Sequence, residues 1–218
     1  MTDTQPAAGQ QRRAFWLKHL HQWHWISSAI CLVGMLLFAV TGFTLNHAGQ
    51  IEGRTAVQTR HATLPPRVLE QVRSAAPAET AQASESRAPV PAVLDDWLAR
   101  ALDIDASGRD AEWSADEIYV ALPRPGGDAW VSIALDSGEA QYENTSRGAI
   151  SYLNDLHKGR HTGAAWSLFL DAFALACLVF CVTGLFLLKL HAGGRVATWP
   201  LVGLGLVVPV LLALLFIH

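Results

Sequence analysis

Three long apolar runs divide the chain, from Trp25 to Leu45, from Trp166 to Leu190 and from Val196 to Ile217. A helix crosses the bilayer core with about 20 predominantly apolar residues, so each run predicts a membrane span. The first run carries no charge between Lys18 and Glu52. The second contains one acid, Asp171, and closes on Lys189. The third opens with Pro200 in its first turn and holds Pro209 further in, where neighbouring helices or a kink must absorb the lost hydrogen bond. Trp16, Trp23, Trp25, Trp166 and Trp199 flank the runs, as interfacial aromatics do. The first run is too long for a signal peptide and no small-residue cleavage site follows it, so it reads as an anchor.

Between the first two runs the pattern is that of a small α+β domain. Pro65-Pro66 starts a short helix over Arg67 to Ala75, and Ala76 to Ala92, rich in Ala, Pro, Ser and Glu, reads as a linker. Val93, Leu94, Trp97, Leu98 and Leu102 have helical spacing and predict a helix from about Val90 to Asp103. Alternation then predicts strands at Ile118 to Leu122, Trp130 to Leu135 and Glu139 to Asn144. Turns at Pro123 to Gly127 and at Asp136-Ser137-Gly138 connect them. The expected segments are an N-terminal stretch 1–24, a span 25–47, a domain 48–163, a span 164–190, a loop 191–195 and a span 196–218.

Charge sets the orientation. Seventeen of the 19 acids and eleven of the 16 bases lie between Glu52 and Arg160, a net charge of −6. A nucleic-acid partner needs a basic footprint and is therefore excluded. The remaining bases, Arg12, Arg13, Lys18, Lys189 and Arg195, sit at span ends and place the N-terminus and the 191–195 loop on the cytoplasmic side. The domain and His218 then lie on the far side, which is the periplasm if the chain sits in a bacterial inner membrane. Cys31, Cys177 and Cys181 all fall within the apolar runs, so the polar domain has no disulfide framework.

Histidine placement carries the chemistry. Of nine histidines none lies in the 95 residues from Ala62 to Leu156, and most gather at the ends of the first two spans. The first span with its flanks reads Leu20-His21-Gln-Trp-His24, then Val40-Thr41-Gly42, then His47-Ala48-Gly49. The second reads Leu156-His157-Lys-Gly-Arg-His161, then Val182-Thr183-Gly184, then His191-Ala192-Gly193. Two adjacent spans run antiparallel, so this match has the form of an inverted repeat. It predicts His21 and His24 on one side with His191, and His157 and His161 on the other with His47.

Paired imidazoles at each end of a bundle suit axial ligation of one or two b-type haems, with Gly42 and Gly184 giving a flat macrocycle access to the backbone. His24 and His47 are 23 residues apart, about 34 Å at ~1.5 Å per residue, so the haem planes must lean inward. Asp171 is costly within a bilayer. It is expected either to accept a hydrogen bond from a ligating His47 or His161, to relay a proton, or to pack at a helix interface. Cys177 and Cys181 read as small packing residues.

Several of these strings resemble a known family. Tyr152-Leu-Asn-Asp-Leu-His-Lys-Gly-Arg160, Thr162-Gly163-Ala-Ala-Trp166, Asp171 and Val182-Thr-Gly184 resemble the second-span region of the PepSY-associated transmembrane proteins. His21-Gln-Trp-His-Trp25 with Thr41-Gly42 resembles their first span, and Asp136-Ser-Gly138 is one residue shorter than the Asp-x-x-Gly turn of a PepSY module. The resemblance implies an α-helical membrane protein of three transmembrane helices with a small periplasmic α+β, PepSY-like domain inserted between helices 1 and 2. Larger relatives have four spans and are inner-membrane reductases that bind haem b and release iron from ferric siderophores. The implied function is electron transfer across the inner membrane to a ferric siderophore or another periplasmic acceptor. No Gly-x-Gly-x-x-Gly is present, so a quinol or a separate reductase must be the donor. A second copy of the chain is a candidate to complete the bundle. The alternative is a non-catalytic PepSY module that binds or regulates a periplasmic or membrane partner, its histidines merely interfacial.

Overall fold

The computed structural model describes residues 8–51, 53–77 and 86–217. His218 and residues 78–85 of the expected linker therefore lie outside the described residues. The order is α1 (Ala8–Asn46), β1 (Ala56–Thr63), α2 (Pro66–Ser74), β2 (Ser86–Pro89), α3 (Ala92–Leu102), β3 (Asp110–Trp113), β4 (Glu117–Ala121), β5 (Gly127–Ala134), β6 (Glu139–Ser146), α4 (Ala149–Lys158), α5 (Gly163–His191) and α6 (Thr198–Phe216). Helices α1, α5 and α6 are each long and apolar enough to cross a membrane. The chain forms two compact units. One holds the chain up to Leu37 together with the chain from Phe169 onward, and the other is Phe38–Leu168.

In the first unit α1 and α5 pack antiparallel. The pairs His21 with His191, His24 with Thr183, Cys31 with Cys177 and Gly34 with Phe173 climb one helix as they descend the other. Polar side chains at this seam turn their hydroxyls to their own backbone. Buried Ser27 donates to the Trp23 and His24 carbonyls at 2.7 and 3.1 Å, so no donor is left facing hydrocarbon. Helix α6 is apolar on every side and buries none of its residues within the chain, the pattern of a helix solvated by lipid.

The second unit is built on a six-stranded antiparallel sheet in the order β1-β6-β5-β4-β3-β2. Its core forms where the alternating residues of β4, β5 and β3, namely Ile118, Val120, Val131, Ile133 and Trp113, meet Leu69 and Val72 of α2 and Leu94, Trp97 and Leu98 of α3. Each such aliphatic side chain contributes about 1.5–3 kcal/mol by burial. The opposite face carries Tyr119, its ring 6.0 Å from that of Trp130. Partial burial, followed by the nearby Glu112, Asp128, Glu117 and Glu143 carboxylates, pushes the Tyr119 phenol above its ordinary pKa.

The predicted β4–β6 meander and helices α2 and α3 are present, with α3 at Ala92–Leu102. Three further strands were not predicted. β1 has hardly a buried residue and so no alternation, β2 lies at the end of the expected linker, and β3 is only four residues long. Helix α4 was also unread, because its residues stood out as a motif and not as an element.

Candidate functional site

Both Val-Thr-Gly strings receive a histidine. In the first unit Thr183 of α5 donates its hydroxyl to the Val179 carbonyl at 2.6 Å, with the Phe180 carbonyl at 3.1 Å. With its hydrogen committed, the hydroxyl can only accept, and the Nδ1–H of His24 on α1 lies 3.1 Å away. The imidazole stacks on the Phe180 ring at 4.8 Å and 13°. In the second unit the Thr41 hydroxyl of α1 lies 3.2 Å from the Phe38 carbonyl and shares a hydrogen bond of 2.7 Å with Nδ1 of His157 on α4. The Phe38 ring is 4.9 Å from that imidazole. The recurring unit is therefore Phe-x-Val-Thr-Gly plus a histidine from another helix. The phenylalanines were a missed signal, standing two residues before each valine at Phe38 and Phe180.

Each glycine makes room for the imidazole itself. A Cβ on Gly184 would lie 3.1 Å from Cε1 of His24, and one on Gly42 would lie 3.5 Å from Cε1 of His157. At both glycines the space beside the backbone is occupied by a histidine edge.

The structure also changes which histidines correspond. Sequence order aligns His21 with His157 and His24 with His161, whereas the packing makes His24 and His157 the equivalent pair. The cause is a break in the second half. Helix α4 ends at Lys158 with a left-handed cap at Gly159 (φ 66°), His161 also has positive φ (58°), and α5 starts afresh at Gly163. His157 thus rides on its own short helix, anchored where the Trp166 indole donates to the Leu156 carbonyl at 2.9 Å.

His21, His47 and His191 share a different arrangement. Each Nδ1 lies 2.8–2.9 Å from the carbonyl four residues back, at Leu17, Phe43 and Leu187 respectively. A carbonyl can only accept, so Nδ1 carries the proton and Nε2 the lone pair. His21 and His191 meet edge to face with ring centres 5.7 Å apart, as the repeat predicted for that end. His47 has no ring contact or hydrogen bond with His157 or His161 among the described residues. His161 is exposed and stands 3.3 Å from Arg160 Nε, which donates to its Nε2.

Asp171 is exposed on α5 and makes no hydrogen bond or ion pair among the described residues. Its carboxylate makes no contact with His47, whose Nδ1 faces the Phe43 carbonyl, or with His161, whose Nε2 receives Arg160 Nε, among the described residues.

Helix α4 holds two polar residues that sequence reasoning passed over. Asn154 accepts from the Thr44 hydroxyl of α1 at 2.8 Å, and Asp155 accepts from the Gly126 amide in the β4–β5 turn at 2.8 Å. Both are buried, at 6% exposure each. Gly126 is required there, since it has φ +72° and a Cβ would lie 2.7 Å from Cα of Tyr152. One short helix thus ties the sheet to α1 and presents His157 between them.

The donor set fits an axially ligated haem. His21, His47 and His191, whose Nδ1 faces a carbonyl, and His24, whose Nδ1 faces a hydroxyl committed to Val179, hold the proton on Nδ1 and leave Nε2 available, the tautomer a metal ligand needs. No group of three or more His, Cys, Asp or Glu side chains among the described residues has the geometry of an ion site. A haem supplies four nitrogens of its own and asks the protein for two.

Residues 15–218 match a family model described as PepSY_TM-like. No curated protein and no solved structure matches the chain.

Proposed function

We propose that this chain, which belongs to the PepSY_TM-like family, is a haem b protein of the bacterial inner membrane that passes electrons across the bilayer to a periplasmic acceptor. The observation that carries the reading is the twin arrangement of His24 on Thr183 and His157 on Thr41. Two imidazoles from different parts of the chain are each held at Nδ1 by a threonine hydroxyl, on recurring Phe-x-Val-Thr-Gly strings. A merely interfacial histidine needs no such partner. Haem b, when bound, supplies a one-electron carrier. The chain's part is to offer Nε2 lone pairs, to raise imidazole basicity through the Nδ1 hydrogen bond, and to exclude water with Phe38 and Phe180. His21 with His191 is the further ligand pair, and His47 is available in the second unit.

The acceptor we favour is ferric iron held by a siderophore, which takes one electron per ion. The donor is a quinol or a separate reductase, and the basic span ends support a cytoplasmic N-terminus.

The test is spectroscopic. The full chain, purified in detergent and supplied with haemin, should show a Soret band that shifts with dithionite and returns when a ferric hydroxamate siderophore is added. His24→Ala and His157→Ala should each lower bound haem. A chain that stays colourless after haemin addition refutes the proposal and leaves a non-catalytic partner-binding module as the reading.

A further inference from the structure

A groove of about 520 Å³ runs between the start of α1 and the end of α5, within the first unit. Its floor is apolar, formed by Trp16, Leu20, Phe186 and Leu190, and its two polar lining residues are Arg13 and Lys189. Residues 13, 16 and 20 share one face of α1, and residues 186, 189 and 190 one face of α5, so the cations sit beside a continuous hydrophobic strip. Trp16 is 57% exposed and Leu190 43%, which leaves the strip uncovered by the chain.

Charge decides what fits. Among its described residues the first unit holds five cations, Arg12, Arg13, Lys18, Lys189 and Arg195, against one acid, Asp171. That acid is 18 residues from Lys189 along α5, about 27 Å at ~1.5 Å per residue, too far to neutralise the groove. The ion pairs among the described residues, Arg87 with Glu112 and Arg147 with Asp128, are both elsewhere. The occupant must bring negative charge at one end and a long apolar body at the other.

We propose that this groove binds one anionic phospholipid of the surrounding bilayer, with its phosphate between Arg13 and Lys189 and an acyl chain along Trp16, Leu20, Phe186 and Leu190. Basic residues at a membrane surface each add about 1 kcal/mol of attraction to anionic lipid. Losing both therefore weakens binding about 25-fold, from a tenfold change per 1.4 kcal/mol. Trp16 is the interfacial indole that such a site needs at headgroup depth. The site stands apart from the haem reading and requires none of its histidines.

Native mass spectrometry of the full delipidated chain tests it, with phosphatidylglycerol and phosphatidylcholine of identical acyl chains as probes. Wild type should retain one phosphatidylglycerol at least tenfold better than phosphatidylcholine. Arg13→Gln with Lys189→Gln should lose that retention about 25-fold. Lys18→Gln, outside the groove, should keep it, and Leu20→Trp, which fills the floor but leaves both charges, should lose it. Equal retention of the two lipids by wild type, or undiminished phosphatidylglycerol on the double variant, overturns the proposal. So does a Lys18→Gln loss as large as that of Lys189→Gln, which would reduce the effect to net charge. If the double variant loses a haem absorption band while its lipid count holds, the groove's anionic occupant is a haem and the lipid assignment fails.

Discussion

Removing the Asp155 carboxylate tests how the sheet is held to α4. Its Oδ2 accepts the Gly126 amide at 2.8 Å with both groups out of water, and the backbone of the turn presses on Tyr152 closely enough to leave no room for a replacement partner. Asp155→Ala therefore strands a buried N–H. A hydrogen bond to a charged group contributes about 1.5–3 kcal/mol net, and a stranded buried donor costs about 1–3 kcal/mol. A central value of about 2 kcal/mol corresponds to roughly 30-fold more frequent local opening at a tenfold change per 1.4 kcal/mol. Hydrogen exchange followed by mass spectrometry on the full chain in detergent, using peptides that cover residues 123–130, reads that opening directly. The Gly126 amide should exchange about 30-fold faster in Asp155→Ala. Asp155→Asn should recover most of the protection, because an amide oxygen at the same place still accepts. Unchanged exchange in the Ala variant would refute the reasoning and show that the turn is held by packing alone.

Two further outcomes follow from the seams beside the histidines. Gly184→Ala brings a methyl group to 3.1 Å from the His24 ring whereas Gly42→Ala leaves 3.5 Å at His157. In spectra of ¹⁵N-histidine-labelled protein the first should therefore move the His24 signals and the second should leave His157 in place; equal responses would contradict the packing. Cys31 and Cys177 are neighbours across α1 and α5, so copper-phenanthroline treatment of a Cys181→Ala variant should close an internal cross-link with a loss of about 2 Da. Failure to close it would show that the two helices do not pair in this register.

What the sequence made legible were features that repeat with a period or a length. The spans are visible because a bilayer demands uninterrupted apolar residues, β4 and β5 because one face of each is buried, and β6 because the Asp136-Ser137-Gly138 turn leads into it. β1 gives no such signal, since Ala56–Thr63 has almost no buried face and is recognised only through its pairing with β6. The repeat was legible as a string, but its spatial pairing was not. A left-handed turn at Gly159 moves His157 onto a separate helix, and spacing along a chain does not report such a break. The threonine and carbonyl partners of the imidazoles were not legible either, since they depend on which helix faces meet.

The boundary between the two compact units cuts through α1 near Leu37 and not at its end. The last nine residues of that helix, including Thr41 and Thr44, are structurally part of the sheet's unit through Asn154 and His157. Anyone excising a water-soluble fragment at the edge of the apolar run, near residue 48, would be sawing off a hinge pin with the door. Such a fragment would bare the polar side of α4 that those threonines occupy, and it should precipitate or associate. A version extended upstream to Phe38 would keep the contacts but must be handled in detergent. The same geometry makes the segment around Gln50 the poorer place, and a loop of the sheet the better one, to insert an affinity tag.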